Sequence, residues 1–575
     1  MSWRAQILQG LKDDPQVTVL ILGGGINGLG LFRELALQGV DCLLVDKADF
    51  VAGASSKSSR MIHGGLRYLE NREFKLVSES LVERNRLLDN AGHYVAPLKT
   101  TIPLFSWCGG MLKSALIFAG FSVRPGSRGA LPVKMGLWFY DFVTRKDRKT
   151  PTHFFTSRAQ SLRETPGLHP GIVATATYWD AWITQCERLC FELLQDARQA
   201  NPRCRALNYV RTEGLKDGSI LLRDDGTWGQ TQTAGQSPFS VAVRPRIVVN
   251  ATGAWVDSTN GMLGLQTRYM GGTKGSHLVV DCKELHQALA GRMVYYQYDD
   301  GRVCIVFPFM GKVILGSTDI RTDDPDGAHC GNDEIEYMLT TLRSVFPGIK
   351  LARENVVFSF CGVRPLPAAG AGVTANISRG HSVRVIEPSA ERAFPIYCLI
   401  GGKWTTFRAF AEQVADTILA RLKVQRKCDT RRLAIGGGED YPAGAEQRAA
   451  WIKRLAAKSG LKEERVAVLL ERYGTAAETF LHAAAADAES ERPLQSLPGY
   501  SVGEIRRIAV QEYVVHLSDI VCRRSLIALL GDARPEVLRE IADIAGVVLG
   551  WHPVQREKEL ELALREFGDY IIRGE

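Results

Sequence analysis

No stretch of the 575-residue chain reaches the roughly 18–20 consecutive apolar residues that a membrane-spanning helix requires. The opening segment MSWRAQILQGLKDDPQ also lacks the apolar core of a secretory signal. Together these absences predict a cytoplasmic protein, either free or peripheral on the cytoplasmic face of a membrane. Cysteine is sparse and unpatterned: 12 residues form no CxxC pair, which argues against both a zinc site and a disulfide framework. Cys186 and Cys190, one helical turn apart, read as small apolar residues on one face rather than a ligand pair. Basic residues form no stripe interleaved with aromatics, and 71 of them are scattered among 63 acids, so nucleic acid is not an expected partner. The net charge of +8 is modest for this length, and is compatible with anionic substrates or an anionic membrane surface. Apolar content of 45% and charged content of 23% are those of a globular protein, and the length predicts two or three domains.

What the chain does have is concentrated first at Val17 to Asp46. Val17 to Leu22 is an unbroken apolar run, as in a parallel strand buried on both faces. Gly23-x-Gly25-x-x-Gly28 follows at once. Leu29, Leu31, Phe32 and Leu35 then recur at helical spacing, Gly39 stands where the helix should stop, and Asp41 to Val45 gives a second strand ending at Asp46. A tight turn, no Cβ beside a pyrophosphate, a helix N-terminus aimed at the anion and an acid for the adenosine ribose are what dinucleotide binding needs. This unit by itself does not separate FAD from NAD.

Further along, Gly53 to Ser59 is small and hydroxyl-rich, suited to passing backbone and Ser hydroxyls along phosphates or to serving as a loop. Arg60, His63, Arg67 and Tyr68 follow around Gly64 and Gly65, a cluster fit for an anion and flavin site or for a solvated loop. Charges interleaved with Phe74, Val77, Leu81, Leu87 and Leu88 predict an amphipathic helix from about Arg72 to Asp89. Met111 to Phe121 is apolar and too short to span a bilayer. With Trp107, Lys113, Arg124 and Arg128 around it, that patch fits a membrane interface, a buried helix or a domain contact. Asp217-Gly218 predicts a hairpin turn. In RIVVNATGAW a strand ends in small residues, again bringing backbone close to something at a carboxyl end. Lys274 to His277 precede an expected strand Leu278 to Val280, and Arg302 to Asp319 reads as two strands about Gly311. A strand Ile396 to Ile400 then meets Gly401-Gly402, and a helix starts near Thr405 and Thr406. Beyond about Val424 the chain reads as amphipathic helices.

The stretches GGGINGLG, GASSKSSRMIHGGLRYLE, NATGAW, KGSH, GSTD, GVRPL and GGKWTTFR occur in this order, and the whole chain resembles the FAD-dependent, quinone-linked glycerol-3-phosphate dehydrogenase family. The resemblance implies an α/β fold with a doubly wound, Rossmann-like FAD domain of the D-amino acid oxidase and glutathione reductase type. An antiparallel-sheet substrate domain and an α-helical C-terminal domain would complete it. On this reading the FAD domain comprises 17–90, 170–262 and 355–425, the substrate domain 91–169 and 263–354, and the helical domain 430–575.

The resemblance also implies the chemistry: hydride transfer from sn-glycerol 3-phosphate to FAD, giving dihydroxyacetone phosphate, with electrons passed to quinone. Gly23, Gly25, Asn27, Gly28, Asp46, Ser55, Ser56, Ser58, Ser59, Gly65, Thr252, Gly253, Gly402, Lys403, Thr405 and Thr406 would hold FAD. Arg67, Tyr68, Arg364, Arg379 and Lys403 would hold substrate, since a phosphate dianion favours guanidinium forks. His277 is the candidate base, with His63 and Arg364 as competitors. No metal is implied. A homodimer and a peripheral contact with an anionic membrane are compatible assemblies.

Three departures from the family pattern stand out. Thr184, Gln185, Cys186 and Glu187 replace a paired acid followed by Ala-Arg, Arg60 stands where Lys is usual, and the insertion around Met111 to Arg128 is long. The first of these keeps an erythritol-type or other polyol phosphate open as substrate. Oxygen as acceptor and a flavin-binding protein without turnover are the remaining alternatives.

Overall fold

The computed structural model describes residues 3–69, 73–109, 129–226, 239–368, 379–486 and 488–568. Two sheets organise these residues. In the first, the strand Gln16–Leu22 lies between Cys42–Val45 and Ser240–Asn250, all parallel. Arg205–Leu207 extends the sheet on one side and Ile396–Gly401 on the other, again in parallel, and His381–Ile386 forms an antiparallel edge. Leu22 is in register with both Val45 and Asn250, so Gly23, Asp46 and Ala251 emerge side by side at the carboxyl ends. The position of Gln16–Leu22 between two parallel neighbours explains its unbroken apolar run: Val19, Leu20 and Ile21 are all fully buried.

The helices Ile26–Leu37, Cys186–Ala200 and Phe407–Leu422 cover one face of this sheet and share one hydrophobic core with it. The opposite face packs with the N-terminal helix Trp3–Asp13 through Leu8 and Leu11. The helix predicted over Arg72 to Asp89 is observed as Phe74–Asn90, and the Asp217-Gly218 turn joins Val210–Lys216 to Ser219–Asp224. Cys186 and Cys190 are free thiols buried in the core.

The second sheet is antiparallel except where Val95–Leu104 runs parallel to Met293–Gln297. It includes Ala174–Ile183 and Val356–Arg364, so its edges do not coincide with the segment limits 170–262 and 355–425. The turn at Gly311 joins Val303–Phe309 to Lys312–Gly316, as the sequence predicts. One expectation is corrected. Lys274 to His277 do not precede a strand but lie inside it, as part of Thr273–Val280 paired along Val356–Arg364. Gly275 and Ser276 look like turn residues, yet Gly275 sits opposite Gly362 in the ladder, where the need is for space rather than a turn.

Beyond Val424 the chain is helical. Val502–Gln511 and Pro535–Leu549 pack through Ile505, Leu538 and Ile541 against Phe307, Phe309, Phe358 and Phe360 of the second sheet. The C-terminal helices therefore back the sheet that carries His277.

Candidate active site

A cleft of about 640 Å³ runs from the carboxyl ends of the first sheet to the second. Ligand sites of roughly 300–1,000 Å³ are common. At one end the turn after Gln16–Leu22 exposes backbone to the cleft. Gly23 has φ of +107°, and a Cβ there would stand 2.6 Å from the Ala251 carbonyl oxygen, so only glycine fits. Gly28 lies outside the cleft, against the Gly23 carbonyl, where it sets the helix close to the strand. Asp46 accepts hydrogen bonds from the Gly24 N–H (2.7 Å) and the Ala48 N–H (2.9 Å), and burial pushes its pKa up to about 6. Ser55 Oγ accepts the Ile26 N–H at 3.0 Å, tying the hydroxyl-rich segment to the helix N-terminus.

Gly25, Asn27, Ser58, Ser59, Thr252, Gly253 and Gly402 also line the cleft. Asn27 Oδ1 is buried without a hydrogen-bond partner among the described residues, an acceptor awaiting a donor from outside the chain. Glycine-lined backbone, the Asp46 carboxylate at the end of the second strand and an orphaned amide fit FAD. Ser56, Gly65 and Thr406 do not line the cleft: Ser56 Oγ donates to the Gly53 carbonyl, Tyr68 covers Gly65, and Thr406 Oγ1 donates to the Lys403 carbonyl.

At the other end the basic and imidazole residues converge. Lys403 Nζ donates to the His63 carbonyl (3.1 Å) and to Ser80 Oγ (3.0 Å), and stands 4.7 Å over the Tyr68 ring. Burial lowers its pKa to about 7, with Asp180 acting in the opposite sense. The His63 N–H donates to Thr405 Oγ1 at 3.2 Å. Burial, with the charges of Lys403 and Arg379, holds the His63 imidazole well below its usual pKa. The next residue, Gly64, donates its N–H to Tyr140 Oη (2.9 Å) and Asp180 Oδ1 (3.2 Å), while Tyr140 Oη donates to the same Asp180 oxygen at 2.8 Å. Arg379 lines the cleft, close enough for its charge to act on His63, Lys403 and Arg364. The Arg67 side chain lies outside the described residues.

Arg364 ends the strand Val356–Arg364 with its guanidinium held from several sides. It donates to Asp319 Oδ1 (2.8 Å), Ser317 Oγ (3.3 Å) and the carbonyls of Thr318 (3.0 Å) and Lys274 (3.3 Å). A Cβ on Gly275 would fall 2.0 Å from its Nη2, which is the space requirement behind the glycine of KGSH. Burial and the nearby Arg379 lower the Arg364 pKa to about 10. His277 is 3% exposed and stacks on Phe360 with a centroid separation of 5.0 Å. Neither ring nitrogen has a hydrogen-bond partner among the described residues. Burial, then the charges of Arg364 and Arg60, depress its pKa to about 3, so the imidazole is neutral and keeps a free lone pair.

Two sequence departures meet each other here. Arg60 donates to Glu187 Oε1 (2.6 Å) and to the Thr184 carbonyl (2.9 Å), and its side chain is 1% exposed. The altered segment and the altered cation thus form one buried ion pair, and none of Thr184 to Glu187 lines the cleft. The insertion at Met111 to Arg128 lies outside the described residues. Asp180 and Ser80 are not among the residues expected at the site from the sequence. Asp180 stands in Tyr178-Trp179-Asp180-Ala181-Trp182 of the strand Ala174–Ile183, and a lone carboxyl among aromatic residues is the signal it carries in the sequence.

Fold and cleft together define a flavin-dependent oxidoreductase: the FAD dependent oxidoreductase family matches residues 18–417, and the C-terminal domain of alpha-glycerophosphate oxidase matches 428–556. The chain is 34% identical over 563 residues to a glycerol-3-phosphate dehydrogenase of Synechocystis, covering 94% of this chain and 95% of that protein. It is 26% identical over 584 residues to the aerobic glycerol-3-phosphate dehydrogenase of Staphylococcus saprophyticus, covering 98% and 97%. The solved glycerol-3-phosphate dehydrogenase of Bacillus halodurans, complexed with FAD, superposes with a TM-score of 0.75 at 22% identity, covering 100% of this chain and 99% of that one. The chain belongs to the FAD-dependent glycerol-3-phosphate dehydrogenase family, and its cofactor is FAD.

Proposed function

We propose that the protein oxidises sn-glycerol 3-phosphate to dihydroxyacetone phosphate and delivers the electrons to quinone at a membrane surface. The observation that carries the substrate reading is the convergence of Arg364, Arg379 and Lys403 beside two neutral imidazoles at one end of the FAD cleft. When bound, FAD would supply the two-electron acceptor for oxidation of the secondary alcohol carbon.

The chain's residues do the rest. Arg364 and Arg379 hold the phosphate dianion and fix the alcohol carbon at the cofactor end. His277 receives the hydroxyl proton, since its ring is neutral and unpartnered. Burial is the main cause of the depressed imidazole pKa, and binding a dianion beside Arg364 offsets the second cause, that guanidinium's charge, which raises the basicity of His277 when substrate is present. Lys403 supports the negative charge that develops at the site. Gly23, Asn27, Asp46, Ser55 and Thr252 would hold the nucleotide part of FAD, and Phe360 with the second sheet excludes water behind His277.

Anaerobic addition of sn-glycerol 3-phosphate is expected to bleach the oxidised flavin of the purified protein. A flavin that stays oxidised with this compound would sink the substrate assignment. The profile of kcat/KM against pH should rise near about pH 6 as the substrate phosphate becomes dianionic. It should fall above pH 7, where the depressed Lys403 loses its proton. The neutral His277 contributes no limb near pH 6.5 because its own pKa lies at about 3. A profile flat from pH 7 to 9 would remove Lys403 as a required cation.

For the membrane contact the support is the helix Ala130–Thr144. Its inner face buries Val133, Leu137 and Tyr140, while Leu131, Met135, Trp138 and Phe142 stand exposed along the other side. Met135 is 71% and Trp138 63% exposed, and Lys134, Arg145, Lys146 and Arg148 flank them. An apolar stripe rimmed by cations suits an anionic lipid surface. No helix among the described residues is long and apolar enough to cross a membrane. The double substitution M135E/W138E is expected to release the protein from phosphatidylglycerol-containing vesicles in a sedimentation assay. Undiminished sedimentation would discard this face as the contact.

A further inference from the structure

Outside the cleft, one buried carboxylate ties together the two segments that hold Arg364. Glu334 lies in the first turn of the helix Asn332–Arg343 and is 4% exposed. Its Oε1 accepts from Ser276 Oγ (2.9 Å) and Thr318 Oγ1 (2.6 Å). Its Oε2 accepts from Lys274 Nζ (2.6 Å) and the Gly331 N–H (3.1 Å). Lys274 and Ser276 flank Gly275 and precede His277 on one strand. Thr318 belongs to the turn between Ser317 and Asp319. These are the same two segments whose Lys274 carbonyl, Ser317 hydroxyl, Thr318 carbonyl and Asp319 carboxylate receive the guanidinium of Arg364. Thr318 Oγ1 also accepts the Ser276 N–H at 2.9 Å, so the hydroxyl bridges strand and turn directly.

We propose that Glu334 is a positioning residue for the anion clamp: by fixing the strand and the turn against each other, it presents Arg364 in the orientation that grips the substrate phosphate. The proposal rests on the reading of Arg364 as a phosphate ligand. The physical case is the number of constraints converging on one group. A carboxylate with four donors has a single orientation, and two of the residues it immobilises, Lys274 and Thr318, give their own carbonyls to the guanidinium. Glutamine in its place has the same shape but presents one oxygen where the carboxylate has two, so two donors facing the new NH2 group lose their acceptor. Lys274 also loses the charge that neutralises it. Glu334 does not line the cleft, so its effect on substrate passes through Arg364 rather than through contact.

The test uses FAD-loaded holoenzyme, with inorganic phosphate as the probe and glycerol 3-phosphate as the substrate. For E334Q the dissociation constant of phosphate, measured by its competition against flavin reduction, should rise by about tenfold or more. KM for glycerol 3-phosphate should rise in parallel, with the limiting rate of anaerobic flavin reduction within about threefold of the parent. Phosphate affinity and KM both within twofold of the parent would overturn the proposal, as would a loss confined to the limiting rate. R364A, measured alongside, separates the two readings. If R364A leaves phosphate affinity unchanged, the clamp assignment itself is wrong. If R364A loses phosphate and E334Q does not, Arg364 stands and Glu334 is only part of the helix cap. Should E334Q fail to retain FAD, Thr318→Val decides instead. It removes the hydroxyl shared by Glu334 and Ser276, and an unaltered phosphate affinity would overturn the proposal.

Discussion

Replacement of Arg364 by alanine is expected to leave a yellow, FAD-loaded protein that glycerol 3-phosphate no longer reduces, with kcat/KM lower by at least about a hundredfold. The size follows from the setting. The guanidinium is held by an ion pair to Asp319 and by hydrogen bonds to three further oxygens, so its planar fork is already oriented before an anion arrives. Truncation therefore removes both a buried cation and its orientation, and leaves Asp319 without that partner, so the attraction for a dianion falls to what Arg379 and Lys403 supply. FAD should persist, because the groups facing the nucleotide part sit on Gly23, Asp46 and Thr252 at the other sheet. Lysine at the position restores the charge without the fork. R364K should recover only part of the lost kcat/KM and mostly through KM. Stopped-flow reduction under nitrogen, with FAD content measured on the same samples, checks both statements. R364A reduced at the parent rate would end the clamp assignment, and R364A isolated without FAD would show a structural role.

The parts of this site that could be read from the sequence are those whose chemistry is local. The strand, turn, helix and acid from Val17 to Asp46 follow each other within one supersecondary unit, so spacing alone places Gly23 beside Asp46. The glycine-preceded helix at Phe407–Leu422 was legible for the same reason. What escaped was set by partners far along the chain. Asp180 meets Gly64 across 116 positions and Glu187 meets Arg60 across 127. Periodicity carries no information about such contacts, and an isolated acid reads as surface until its partners are seen. KGSH shows the opposite failure. Its residue types mimic a turn, because Gly275 was selected by the closeness of Arg364 in space and not by any local bend. The departure at Thr184 to Glu187 is one half of a buried pair with Arg60 and lies outside the cleft.

Asp49 is expected to be as decisive for the folded state as Arg364 is for turnover. Its carboxylate, 1% exposed, accepts from Arg523 Nε, from Arg524 Nη1 and Nη2, and from Asn208 Nδ2 at 2.8 Å. Both arginines come from the C-terminal helical part, 474 and 475 positions along the chain. Arg523 has a second acid in Asp519, but among the described residues Arg524 is otherwise bonded only to the carbonyls of Glu512 and Tyr513 and packed 3.8 Å over the Phe191 ring. Asp49→Ala would strand that guanidinium inside the protein, at a cost of about 3–5 kcal/mol for an uncompensated buried charge. The damage reaches the cofactor as well. Phe50, the next residue, packs against Gly24, and the Val51 N–H donates to the Gly24 carbonyl at 3.0 Å, so the same short segment supports the nucleotide-binding turn. The D49A protein should therefore melt about 2–4 °C below the parent and release FAD in the same transition. Melting followed by intrinsic and flavin fluorescence together reads both. Asp49→Asn, which keeps one acceptor for Arg524 but not the charge, should fall between the two. If D49A melts within 1 °C of the parent, the pair network contributes little, and the C-terminal helices are held by the apolar contact of Ile505, Leu538 and Ile541 with the second sheet.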